Sequence, residues 1–153
     1  MRTLSFITLF VSLFGCAQGR VDVLDHDGNV VGYCSADFNF HWYGAQDSVN
    51  YILYLCAKEN IDKAFRISDE SILADDYTIP EAPEGRMWSK KLAKKQFSKD
   101  LISEEKLGYI LASVEFQYWA KLQEAKDDLS RSAITKEEYE KLVEKANSEF
   151  EGV

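Results

Sequence analysis

The chain reads as an α+β protein: a small N-terminal antiparallel sheet packed on a buried helix, followed by a long C-terminal helical hairpin. Three observations predict this. Two apolar runs flank Asp27-Gly28, and the second alternates with period 2. Val49, Ile52, Leu53 and Cys56 then recur at helical spacing. Two longer helical repeats close the chain, the second opened by Thr135-Lys136-Glu137-Glu138.

The first strand is expected at Val21–Asp25 and the second at Val30–Tyr43, joined through His26-Asp27-Gly28-Asn29. Asp-Gly between apolar runs is a hairpin signal, because glycine takes the positive φ of a tight turn without steric cost. Along the second strand, Val30, Cys34, Ala36, Phe38, Phe40 and Trp42 fall on the apolar side. Ser35, Asp37, Asn39 and His41 fall on the other. His41, Trp42 and Tyr43 make a candidate binding face, although a plain core on one side and a wet face on the other explains the same pattern.

Gly44 ends this strand, and Asp47 or Ser48 is placed to cap a helix running to about Asn60. Tyr51, Tyr54 and Leu55 widen its apolar surface, so the helix should be largely buried. Cys34 and Cys56 both face inward. They could meet at the ~5.5–6 Å Cα separation of a disulfide; two unpaired core cysteines are the alternative. A weaker third strand is expected within Ala64–Ser68.

Charge then divides the chain. Ile67 to Gly85 holds acids and no base, with Pro80, Pro83 and Gly85 marking a loop. Arg86 to Lys99 holds bases and no acid, interleaved with Trp88, Leu92 and Phe97. Residues 86–102 are read as a basic connecting segment. Trp88, Lys90, Lys91, Lys94 and Lys95 could lie on an anionic membrane surface. The plainer reading is a solvated face paired with the acidic loop before them.

Ser103 caps the first helix of the hairpin, with Glu104 and Glu105 complementing its dipole. Its stripe runs Leu107, Ile110, Leu111, Val114, Tyr118, Leu122, Ala125, Leu129, roughly 39 Å at ~1.5 Å per residue. Phe116 and Trp119 lie off that stripe and should pack on the sheet or on a partner. The second helix carries Tyr139, Leu142, Val143, Ala146 and Phe150, with Ile134 and Tyr139 placed as a hydrophobic staple.

The stretch Lys126–Tyr139, with Ile134-Thr135-Lys136-Glu137-Glu138-Tyr139 opening the second helix, resembles the short C-terminal domain (SHOCT) family. The likeness covers about residues 121–150, and Ser132 stands where that family commonly has glycine. The resemblance implies a role in association, through an envelope protein or self-association, rather than chemistry.

At the other end, Met1-Arg2-Thr3, the apolar run Leu4–Phe14 and Gly15-Cys16 have the form of an export signal. The run is too short for a spanning helix, which needs about 20 residues. Leu13-Phe14-Gly15-Cys16 resembles the lipobox of bacterial lipoproteins, which implies lipid on Cys16. Phe14 departs from the small or β-branched residue usual there. Ala17 after the cysteine resembles the pattern of lipoproteins sorted to the outer membrane. Ordinary cleavage after Ala17, releasing a soluble periplasmic or secreted protein, is the rival. Only Ala17–Arg20 would tether the lipid to the first strand. The expected organisation is thus a signal over 1–15, an α+β domain over 16–85, the basic segment 86–102 and the hairpin 103–151.

Composition narrows the function. The net charge of −8 speaks against nucleic acid as a partner, since phosphates demand a basic face. Cys34 and His41, seven apart on one strand, face opposite sides of a sheet and suit no thiol hydrolase. Asp25-His26-Asp27-Gly28-Asn29 spaces oxygens like the start of a calcium loop, but Val30 and Ala36 occupy the positions of its glycine and glutamate. No metal site and no cofactor are expected. The reading is a non-enzymatic, lipid-anchored envelope protein working through protein contacts. A periplasmic inhibitor or immunity protein against an envelope-acting enzyme is the alternative, and a small envelope hydrolase a third.

Overall fold

The computed structural model describes residues 17–38 and 43–153. The chain is α+β, a three-stranded antiparallel sheet on one helix followed by C-terminal helices. The strands are β1 (Ala17–Leu24), β2 (Val30–Phe38) and β3 (Arg66–Ile67), in the order β2-β1-β3. Both strand pairs are antiparallel. The helices are α1 (Ala45–Asp62), α2 (Lys90–Phe97), α3 (Glu104–Ser130) and α4 (Lys136–Glu151).

The hairpin turn forms as its residues require. The Asp25 carboxylate accepts from the Asp27 and Asn29 backbone N–H groups at 2.9 and 2.8 Å, and Gly28 takes φ 85°. These hydrogen bonds, led by those from Asn29, hold the Asp25 carboxyl below its ordinary value.

Register sets which side chains go inward. Val21 pairs with Cys34 and Val23 with Gly32, but Leu24 pairs with Val30, so the ladder slips by one residue at Val31. A bulge of this kind breaks the period-2 alternation. Val30, expected on the inner face, is therefore exposed, as is Val31. β1 also begins earlier than expected. Ala17 already pairs with Phe38, and the stretch read as a tether belongs to the sheet.

At its far end β2 is described to Phe38; Tyr43 lies in a bend, and the expected strand residues between them fall outside the described residues. The helix after it starts sooner than the candidate caps implied. Gly44, at φ 70°, is the N-cap of α1, and Asp47 and Ser48 lie inside the first turn.

Two cores result. Val21, Val23, Cys34, Val49, Leu53, Ala57 and Ile67 bury the sheet against α1, with Ile72 and Leu73 of a 3-10 turn at their edge. Ala93, Leu107, Ile110, Leu111 and Val114 form the second, flanked by Ile79, Trp88, Phe97, Ile102 and Phe150. The basic segment is thus partly helical. Ser89 caps α2 by accepting from the Leu92 N–H, and Leu92 and Ala93 are buried. The hairpin matches its expected ends: Ser103 caps α3, and Thr135 and Glu138 complete a reciprocal capping box on α4. Ser132 in the connecting turn takes φ 57°.

The cores meet where α1 crosses α3. A Cβ on Gly108 would lie 2.5 Å from the Gly44 carbonyl oxygen and 2.7 Å from Asp47 Cβ. The Ser48 hydroxyl, fully buried, lies 2.8 Å from the Gly108 carbonyl oxygen and 3.0 Å from that of Gly44. The Gly44 N–H donates to Glu104 Oε1 at 3.0 Å. Alongside, Tyr77 inserts between the two helices. Its ring stacks on Tyr54 at 4.3 Å and lies 5.1 Å from Tyr109.

Two outcomes test this seam. Gly108→Ala puts a methyl against backbone that no rotamer change can clear, so a loss of about 3 kcal/mol is expected in urea unfolding. Unchanged stability would mean the helices do not approach this closely. Burial, helped by the neighbouring acids Asp75, Asp47 and Glu105, pushes the Tyr77 phenol up to about 12 from its ordinary 10. A folded-state value above the unfolded one means stability present below pH 10 and lost as pH rises towards 12. Thermal melts should decline across that interval, and Tyr77→Phe should shallow the decline.

Candidate functional site

Cys34 and Cys56 are joined in a disulfide, with Cα atoms 5.8 Å apart. Cys34 sits at the centre of the first core and Cys56 on the half-buried flank of α1. The Asn60 side chain, one turn beyond Cys56, donates to the Cys56 carbonyl at 2.9 Å and rests its amide nitrogen against both sulfurs. With the sulfurs bonded to each other, neither offers a thiolate.

Cys16, His41 and Trp42 lie outside the described residues. Tyr43, the remaining member of the proposed face, is exposed, and its ring lies 5.5 Å from that of Phe97 at the end of α2.

The basic segment divides in two. Trp88 turns inward, where its indole N–H donates to the Pro80 carbonyl at 2.7 Å and its ring flanks the second core. Lys90 pairs with Glu151 at 2.9 Å and lies over the Phe150 ring. Lys91, Lys94 and Lys95 are exposed. The expected pairing with the acidic loop is local, Arg86 meeting Glu84 at 3.3 Å. Helical geometry explains the division: the apolar positions Leu92 and Ala93 must face α3, and that turns Lys91, Lys94 and Lys95 outward together.

Between residues 79–88, α3 and α4 lies an open cleft of about 390 Å³. Its apolar wall includes Trp88, Val114 and Phe150. Its polar groups largely satisfy one another: Lys121 pairs with Glu149, and the Tyr118 hydroxyl donates to Asn147 at 2.7 Å. Such a cleft offers shape and apolar area but few free groups to orient a small polar ligand. Among the described residues, no three His, Cys, Asp or Glu side chains are grouped to hold a metal ion. No helix among them is long and apolar enough to cross a membrane.

The long helix is unevenly covered. Leu107 to Ala112 are buried, whereas Phe116 and Trp119 are 60 % and 59 % exposed and do not pack on the sheet. They stand eight and eleven positions after Gly108, on the same face of α3, two to three turns past its crossing with α1. Leu142 on α4 is also exposed.

Sequence reasoning missed Tyr77 and Gly108. Tyr77 is a lone large aromatic amid acids, and Gly108 a lone glycine inside a strong helical repeat. Either irregularity marks a place where the chain packs against itself. The chain matches no family model, no curated protein and no solved structure.

The disulfide closes a loop spanning 22 positions, so its loss should lower stability by about 3 kcal/mol. Urea unfolding of the oxidised protein against a Cys34→Ala/Cys56→Ala variant measures this. Coincident curves would show that the bridge contributes nothing.

Proposed function

We propose that this is an exported bacterial envelope protein, held at the membrane by lipid on Cys16, that acts as a non-enzymatic interaction module. The observation that carries the contact role is the exposed pair Phe116 and Trp119 on α3. Aromatic side chains dominate the energetics of protein interfaces. Two of them on one face of a rigid helix bury a large area with little ordering cost. The partner is an envelope protein or a second copy of the chain.

Export is supported by the signal-like first sixteen residues and by the disulfide, a bond that persists in oxidising compartments. The SHOCT-like reading of residues 121–150 draws support from the capping box and from Ser132, which takes the left-handed backbone conformation that glycine favours. Because β1 begins at Ala17, lipid on Cys16 would attach directly to the sheet and hold the domain against the bilayer.

A photo-crosslinking residue at position 119 in living cells should trap a discrete adduct. Phe116→Ser with Trp119→Ser should then weaken that contact more than tenfold. A protein that stays monomeric and uncrosslinked would sink the contact role. Intact mass tests the anchor separately. A Cys16 N-terminus carrying diacylglycerol supports it; a lipid-free chain starting at Gln18 makes the soluble inhibitor the better reading.

A further inference from the structure

We infer that the outward face of α2, made by Lys91, Lys94 and Lys95 with Met87 beside it, is a contact surface for an anionic lipid bilayer. The inference rests on the envelope reading above but concerns a different part of the molecule from Phe116 and Trp119. Its starting point is charge. In a chain of net charge −8, three exposed lysines share one side of an eight-residue helix. Among the described residues none of the three takes part in an ion pair, whereas Lys90 and Arg86 are paired with Glu151 and Glu84.

Apolar exposure accompanies the charge. Met87 is 68 % exposed and lines one open groove with Lys91 and Lys95. Glu149, on the same groove, is paired with Lys121. An acidic protein surface would use the lysines but leave the thioether in water. A bilayer uses both: the methionine enters the headgroup boundary while the lysine stems extend their charges to the lipid phosphates.

The position of the face fits as well. Ala17, where the chain enters the sheet from Cys16, pairs with Phe38. At most ~17 Å of chain separates Phe38 from Tyr43, and the Tyr43 ring meets Phe97 in the last turn of α2. A short path of chain and one ring contact thus links the start of β1 to the end of α2. A lipid on Cys16, one residue before β1, would keep α2 within reach of the membrane surface.

The test uses exported protein recovered with its own N-terminus, floated on vesicles of phosphatidylcholine alone or mixed with phosphatidylglycerol. A lipidated chain binds both, so the reading is the difference between them. Binding should be tighter on the anionic vesicles and weaken with added salt. Lys91→Gln/Lys94→Gln/Lys95→Gln should reduce that preference on the order of a hundredfold. Met87→Ser should weaken binding on anionic vesicles by a smaller factor. The substituted side chains are exposed, so unchanged thermal unfolding serves as the folding control.

Equal binding to both vesicles, or a triple variant that retains the preference, overturns the inference. So does lysine-dependent capture of an acidic protein without vesicle binding. The intact mass separates the two claims. An unlipidated chain that still prefers anionic vesicles removes the anchor and keeps the face; a lipidated chain without charge preference does the reverse.

Discussion

The two halves of this chain are joined where Gly44 and Gly108 bring the backbones of α1 and α3 together, with Ser48 filling the contact. The approach is close enough that neither glycine has room for a side chain. The Ser48 hydroxyl sits between the Gly108 and Gly44 carbonyl oxygens, 2.8 and 3.0 Å away, and its single proton is shared between them. Both carbonyls also belong to their own helices, the Gly44 oxygen accepting the Ser48 N–H at 2.8 Å, so the hydroxyl is an added tie across the crossing. Glu104 adds a second tie by accepting from the Gly44 N–H at the start of α1. The placement of the sheet relative to the hairpin depends on this crossing.

From that crossing follows the uneven use of α3. Near Gly108 the helix is enclosed by α1, Tyr77 and α2, and nearly every residue from Leu107 to Val114 is buried. Beyond it, among the described residues, the helix is flanked by α4 and the open cleft, and Ala125 is the single fully buried residue of the last four turns. Phe116 and Trp119 fall just past the boundary. An aromatic pair that would be core two turns earlier is surface here.

Much of the architecture was legible in the residues themselves. The Asp27-Gly28 turn, the Val49-Leu53 stripe, the Ser103 cap and the Thr135 box are local signals, and each formed as read. Errors came where distant packing overrode local pattern. The bulge at Val31 turned Val30 outward, and Gly44 took the cap expected at Asp47 or Ser48. Ser48 falls inside the first turn and its hydroxyl reaches Gly108, sixty residues on. The candidate site was less legible. Spacing placed Cys34 and Cys56 together, but nothing local distinguished Trp88, which turns inward, from the lysines that follow it.

The disulfide is confined to the first half of the chain, and this bears on the order of assembly. Synthesis proceeds from the N-terminus, so both cysteines precede every residue of α2, α3 and α4. The bond between sheet and α1 can close while the hairpin is still emerging. Once closed, it ties α1, the helix that carries Ser48 and follows Gly44, to the sheet. The surface that receives the later half, Gly44 and Ser48, therefore belongs to the disulfide-linked part of the chain, while α2, α3 and α4 carry no cysteine at all.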